Sequence, residues 1–138
     1  MSASQDELKL IDADPGRVAF YASQNVTVTV WCGATDISLV ERLRVVSKRV
    51  REQYPQGGSA IHIVRAGVPL PGSDVREQLV KLSNEDALWL AAVGVVIGGS
   101  GFWASTMRSV ITALRVVASR EYEMRIHGSL EEVIGWLP

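Results

Sequence analysis

The apolar run at residues 87–97 narrows the choice of fold more than any other part of the chain. It carries no charged side chain, yet it is too short to cross a bilayer as a helix, which takes about 20 residues. The sequence Gly-Gly-Ser-Gly at residues 98–101 follows it directly. A short apolar run that ends at glycines is typical of a buried strand. Such strands are covered on both faces and occupy central, at least partly parallel positions in a sheet.

The residues before position 31 show the two-residue period of strands. The predicted elements are, in order, a strand at 8–11, a turn at 14–16, a strand at 18–22, a turn at 23–25 and a strand at 26–30. In the last of these, Val26, Val28 and Val30 alternate with threonines and share one face. This part of the chain therefore predicts an antiparallel meander with one buried face.

Beyond Cys32 the apolar residues recur with the period of a helix. The first helix is expected to begin at Asp36 or Ser38, and its apolar stripe consists of Leu39, Leu43, Val46 and Val50. The remaining predicted elements are a strand at 60–65, a helix from Ser73 or Asp74 to about Asn84, the strand at 87–97, a helix at 102–120, an edge strand at 122–127, and a helix opened by Ser129 with Glu132.

This order predicts an α/β fold. We expect a mixed sheet of about five to six strands, with an N-terminal antiparallel meander followed by β-α units, and about four packed helices. Residues 1–7 are polar and are expected to form a flexible N-terminus, while residues 8–138 are expected to form a single domain.

The charge balance limits the partners of the chain. Its 138 residues include 14 Lys and Arg against 15 Asp and Glu, a formal net charge of −1. A general nucleic-acid-binding protein needs an excess of basic residues, so no nucleic-acid partner is expected. Cys32 is the only cysteine, so the chain can form no internal disulfide. Together with the polar N-terminus, this favours a cytoplasmic protein without membrane insertion.

The order of elements and the C-terminal residues resemble the STAS domain, the fold of bacterial anti-sigma-factor antagonists and of their divergent relatives. The resemblance covers residues 8–138: an antiparallel pair, a helix, three strand–helix units, and the ending Ser-Leu-Glu-Glu at 129–132 followed by Trp136 and Leu137. It implies a divergent STAS-like domain. The function it implies is a non-enzymatic protein-interaction or regulatory module of a bacterial signalling pathway.

Phosphorylatable STAS antagonists carry a serine at the start of the helix after the third core strand, usually within Asp-Ser-Ser-Gly or a close variant. Here Ser73 lies at about that position, within Pro-Gly-Ser-Asp-Val at residues 71–75. The flanking pattern of the family is missing. Ser73 is therefore a candidate phosphoacceptor by resemblance, and an ordinary N-cap residue by its local sequence.

The turn at residues 98–101 is a candidate ligand site. Backbone N–H groups of Gly99, Ser100 and Gly101 would lie between a strand and a helix start, where an anion can bind. Open α/β sheets also bind ligands at the carboxyl ends of their strands. These residues support an alternative function, a carrier or sensor of a small apolar or anionic ligand. The other interpretation is a tight turn with Ser100 as a helix cap.

The third helix has an outer face of small, weakly polar residues beside two arginines. This face consists of Ser105, Arg108, Ser109, Thr112, Arg115 and Val116. A fully solvated helix face usually carries more charge, so we expect it to pack against another helix of the chain, against a partner protein, or against a second copy in a homodimer.

The two histidines and the single cysteine indicate neither a metal site nor an active site. His62 and His127 lie in different predicted strands, and Cys32 has no base nearby in the sequence. A metal site needs at least three suitable ligands. We therefore expect no metal, no cofactor and no catalytic residue, although distant residues can assemble an active site and an enzyme of unidentified type stays an alternative. Trp89 and Trp103 are expected in the core, where they could also line a small apolar pocket.

Overall fold

A computed structural model describes residues 8–117 and 122–137 of the chain. The described residues form β1 (Lys9–Asp14), β2 (Val18–Ser23), β3 (Val26–Trp31), α1 (Ile37–Gln53), β4 (Gly58–Val64), α2 (Ser73–Asp86), β5 (Leu90–Ile97), α3 (Gly101–Val117), β6 (Glu123–His127) and α4 (Leu130–Trp136). The flexible N-terminus expected at residues 1–7 and the end of the third helix expected near residue 120 lie outside the described residues.

The strands form one six-stranded sheet in the order β1-β2-β3-β4-β5-β6. The first three strands pair antiparallel, and β4, β5 and β6 each join parallel to the strand before them. The predicted α/β mixed sheet with an N-terminal meander and four helices is thus confirmed. The apolar run also has its predicted central, parallel place, but β5 begins at Leu90, because α2 extends to Asp86 and residues 87–89 make the turn.

Three helices share one face of the sheet. Residues of α1, α2 and α3 join one core cluster with Phe20, Trp31 and Val64 from the strands, whereas α4 packs on the opposite face around Val133. Each β-α-β connection links neighbouring strands. Because such connections are right-handed, they stack their helices on the same side.

The more deeply buried face of β3 is not the valine face that the sequence pattern predicted. Thr27 and Thr29 point toward the three helices and are only 4% and 1% exposed, whereas Val26 and Val30 on the other face are half-buried. The threonine face is the better covered one because α1, α2 and α3 pack on it, while α4 covers the valine face only in part.

The helix starts follow the predictions in part. Asp36 caps α1 by accepting from Leu39 N at 3.1 Å, and Ser38 instead donates to the Asp36 carboxylate. The N-cap of α2 is Gly72, so the prediction of a Ser73 or Asp74 cap is wrong by one residue or two. The Asp74 carboxylate accepts from the backbone N–H of its own neighbour, Val75, at 2.8 Å.

The last helix is capped as predicted and docks through a glycine. Ser129 accepts from Glu132 N at 3.3 Å, and Glu132 accepts in return from the backbone N–H of Gly128 at 3.2 Å. A Cβ on Gly94 of β5 would lie 2.5 Å from a methyl group of Val133. Only glycine at that position therefore lets α4 approach the sheet, where Val133 is fully buried.

Candidate functional site

A cavity of about 180 Å³, partly open to solvent, lies between the sheet and its three helices. We call it the central cavity. Its wall on the sheet side includes Thr27, Ala60, His62, Val93 and Val95, and its wall on the helix side includes Leu43, Ser47, Leu79, Leu82, Ser83, Asp86, Met107 and Ile111. Most of these side chains are apolar. A dry cavity of about 150 Å³ in a protein core can hold benzene, so this space is large enough for a small organic molecule.

The strand register explains why one histidine reaches this cavity. Ala60, His62 and Val64 alternate on β4 toward the helices, and His62 lies between Thr29 of β3 and Val95 of β5. The neighbouring side chains of that face are small or β-branched, and they leave room above the strand. His62 consequently lines the cavity and keeps part of its surface accessible.

A tryptophan orients this histidine. Trp31 Nε1 donates to His62 Nδ1 at 3.2 Å, and the two rings lie within 15° of parallel with centroids 6.2 Å apart. An imidazole nitrogen that accepts a hydrogen bond carries no proton, so in the neutral ring the proton is on Nε2. Burial lowers the pKa of His62 to about 4. At neutral pH the ring is therefore an uncharged hydrogen-bond donor.

The helix side of the cavity holds a buried acid. Asp86 is 6% exposed and accepts hydrogen bonds from Arg51 and Ser47. Burial raises the pKa of Asp86, and the Arg51 guanidinium acts against that rise. The carboxyl group is thus held by its own neighbours at the α1–α2 contact. Ser83 and Tyr122 form a second polar pair in the wall, hydrogen-bonded to each other.

The predicted ligand turn is separate from this cavity. Gly99 and Gly101 adopt φ values of 75° and 78°, and Gly98 N donates to Val64 O at 2.8 Å. A Cβ on Gly99 would lie 2.9 Å from the Cβ of Ala66. Close approach and backbone conformation account for these glycines. Gly99, Ser100 and Gly101 are all described, and the cavity wall includes none of them.

The candidate phosphoacceptor and the candidate interface residues lie at the surface. Ser73 is exposed as the first residue of α2. The outer face of α3 is exposed as well, including Ser105, Arg108, Ser109, Thr112, Arg115 and Val116. The Ser109 and Thr112 hydroxyls donate to backbone carbonyls one turn earlier in their own helix. No other helix among the described residues covers this face, so the interpretation that it packs within the chain is wrong there.

The second histidine lies on the other side of the sheet. The His127 ring packs on Trp136 with centroids 5.4 Å apart, and its Nδ1 lies 3.8 Å from a Glu132 carboxylate oxygen. Arg125 sits over the same tryptophan ring. Within residues 8–117 and 122–137, no three His, Cys, Asp or Glu side chains are grouped to hold a metal ion.

The sequence predicted a strand around His62 but no function for this residue, and it indicated no role for Trp31. The two-residue period of β4 already places His62 on the face of Ala60 and Val64, an apolar face with one polar side chain. That alternation is the signal available in the sequence. The register that brings Trp31 beside it comes from strand pairing, which a single sequence does not show.

No protein-family model, no curated protein and no solved structure matches this chain. Every helix in the described part of the chain is too short or too polar to span a bilayer.

Proposed function

We propose that this chain is a non-enzymatic binding domain that carries or senses one small, largely apolar molecule in the central cavity. The observation that carries the proposal is the cavity itself, with about 180 Å³ of space between apolar walls. Because the cavity is partly open, its apolar wall is in contact with solvent, and a ligand that covers this wall gains dispersion contacts and removes apolar surface from water.

The central cavity replaces the turn at Gly99, Ser100 and Gly101 as the proposed ligand site. The turn is explained by its glycine conformations and by its approach to Ala66. The cavity wall instead combines apolar side chains with a few polar groups, which is the usual composition of a small-molecule site.

The test makes the same substitution at two alanines, one inside the cavity and one outside it. Ala60 lies in the cavity wall, whereas Ala113 is exposed on α3. Ala60→Leu places three more carbons in the cavity, and Ala113→Leu makes the same change away from it. Purified wild-type protein and both variants are titrated with small aromatic molecules such as toluene, and binding is followed by NMR and thermal shift.

We expect the wild type and Ala113→Leu to bind and Ala60→Leu to lose binding. Native mass spectrometry of the purified wild type should in addition show whether a molecule is already retained. Equal binding by Ala60→Leu would place the ligand elsewhere. A bare chain that responds to no member of a metabolite panel would contradict the proposal.

A second candidate function is a cytoplasmic interaction module of a bacterial regulatory pathway, as the STAS resemblance implies. The outer face of α3 favours it: Phe102 is 89% and Val116 61% exposed, beside Arg108 and Arg115 in a helix without acidic residues. Apolar side chains flanked by cations suit a protein partner with an acidic surface. The helix start at Ser73 is a further contact candidate by the resemblance.

This candidate is tested with purified proteins encoded beside the gene. Wild-type chain should retain one of them in a pull-down, and an Arg108→Glu/Arg115→Glu variant should lose it, because the charge that attracts an acidic surface is reversed. Retention by both forms would contradict a contact through α3. Sedimentation at two concentrations tests the alternative that this face joins two copies of the chain.

A further inference from the structure

The Nε2–H group of His62 is a donor that the described protein leaves without an acceptor. Its Nδ1 is occupied by Trp31, and no group within residues 8–117 and 122–137 accepts from Nε2. Among these residues, only the Nε2 atom of His127 is both fully buried and without a hydrogen-bond partner, so the Nε2 atom of His62 is not fully buried. The atom therefore keeps accessible surface in a side chain that lines the cavity.

Apart from the exposed guanidinium of Arg115, the other strongly polar groups of the wall form hydrogen bonds within the protein. Asp86 is held by Arg51 and Ser47, and Ser83 is bonded to Tyr122. The remaining wall hydroxyls can either donate or accept, so they require no particular group on a ligand. His62 differs from them because its orientation by Trp31 leaves it able only to donate.

The walls also discriminate against charge. A charged ligand would lose its hydration among apolar side chains, and this loss costs far more than the desolvation of a neutral polar group. Asp86 is already paired, and Arg115, a cation at the edge of the same wall, is exposed to solvent. His62, whose pKa is about 4, offers a neutral N–H at pH 7 and no positive charge to offset that of an anion.

We infer that the ligand of the central cavity is an uncharged molecule with one hydrogen-bond acceptor, such as a carbonyl or ether oxygen, that binds to the Nε2–H of His62. This inference rests on the proposed binding function and adds the class of ligand. It identifies His62 as the group that selects among apolar molecules of similar size.

The test uses three ligands of nearly equal shape. Acetophenone has a carbonyl oxygen where α-methylstyrene has a methylene carbon, and benzoate adds a charge. Dissociation constants are measured at pH 7 by NMR titration of the wild-type protein. Relative to a protein without the donor, the hydrogen bond to His62 should shift the ratio of the two dissociation constants about tenfold in favour of acetophenone. Benzoate should bind more weakly than both.

Two variants isolate the histidine. Trp31→Phe retains His62 but removes the bond that fixes its tautomer, so it should keep a weaker preference for acetophenone. Trp31→Phe/His62→Leu removes the donor and its partner together, so that no unpaired group is left buried, and the shift in favour of acetophenone should disappear. Long-range ¹H–¹⁵N spectra of the free wild type supply an independent measurement, which does not depend on the stability of any variant, and should show the proton on Nε2.

The outcomes separate this inference from the proposed function. If the ratio of the two dissociation constants is the same in the wild type and in Trp31→Phe/His62→Leu, the cavity is a binding site but the role of His62 is wrong. A proton found on Nδ1, or tighter binding of benzoate, overturns the inference in the same way. If toluene binds but none of the three ligands does, only the inferred ligand class is wrong. If toluene and the metabolite panel fail as well, the proposed function fails, and the inference with it.

Discussion

Trp31 Nε1 donates a hydrogen bond to His62 Nδ1 at 3.2 Å, across the parallel pair β3–β4. In this pair the direct neighbour of His62 is Thr29, and Trp31 lies two residues further along β3. The bond is therefore diagonal, and it uses the length of the indole ring. It satisfies the indole N–H of a buried tryptophan. It also selects the tautomer of His62 that carries its proton on Nε2, and this tautomer lines the cavity.

The first prediction concerns the stability of the protein in acid. An unfolded histidine titrates near pH 6.5, whereas burial lowers the pKa of His62 to about 4. Between these values the unfolded chain binds more protons, so the free energy of unfolding falls as the pH is lowered. From pH 7 to pH 4, His62 should account for a loss of up to about 3 kcal/mol.

Denaturant unfolding at several pH values measures this loss, with His62→Gln as the control. Glutamine does not titrate, and its side-chain oxygen can still accept from Trp31. The pKa values of Asp12 and Asp86 also shift, the first lowered by Arg42 and the second raised by burial, but both carboxyls are present in both proteins. Only the difference between the two pH profiles reports on His62. Identical profiles would show that the pKa of His62 is not lowered in the folded protein.

The second prediction tests the docking of α4. Gly94→Ala should lower the free energy of unfolding by about 2 kcal/mol, because its Cβ would overlap a methyl group of Val133. Gly135→Ala, within α4, meets no atom within 4 Å and should be neutral or stabilising by about 0.5–1 kcal/mol. Thermal unfolding distinguishes the two. Similar effects would mean that Val133 does not lie against Gly94.

The third prediction tests the acid in the cavity wall. Arg51→Met leaves the carboxylate of Asp86 buried without its cation and should cost about 2 kcal/mol, less than for a fully buried pair because Arg51 is partly exposed. Lys48→Met removes a cation from the same helix that pairs with Glu52 in the open, and should change stability by less than about 0.5 kcal/mol. Urea unfolding at pH 7 should show a larger loss of stability for Arg51→Met than for Lys48→Met. Equal losses would show that the Arg51–Asp86 pair contributes no more than an exposed ion pair.

The fourth prediction concerns the outer face of α3. Thr112→Glu should change the free energy of unfolding by no more than about 0.5 kcal/mol, because Thr112 is exposed and the new carboxylate lies near Arg108 and Arg115. Met107→Glu, on the buried side of the same helix, should prevent folding or severely destabilise the folded protein. A large loss for Thr112→Glu in a monomer would show that this face is covered within the chain.

The sequence predicted the elements best where a single period extended over many residues. The stripe of Leu39, Leu43, Val46 and Val50 marked α1, and all four are buried. The predictions were weakest at helix starts. Several adjacent polar residues suit an N-cap equally well, and the backbone conformation that selects Gly72 over Ser73 depends on the loop that leads into the helix.

By itself the sequence determined the α/β class, the antiparallel start and the buried, parallel place of β5 inside the sheet. These follow from periodicity and composition, which act locally along the chain. Only the tertiary structure decided where a ligand has room. The central cavity depends on how closely three helices approach one face of the sheet, and the role of His62 depends on a bond to Trp31, 31 positions away. Contacts between residues so far apart follow from strand register and helix packing, which no local pattern specifies.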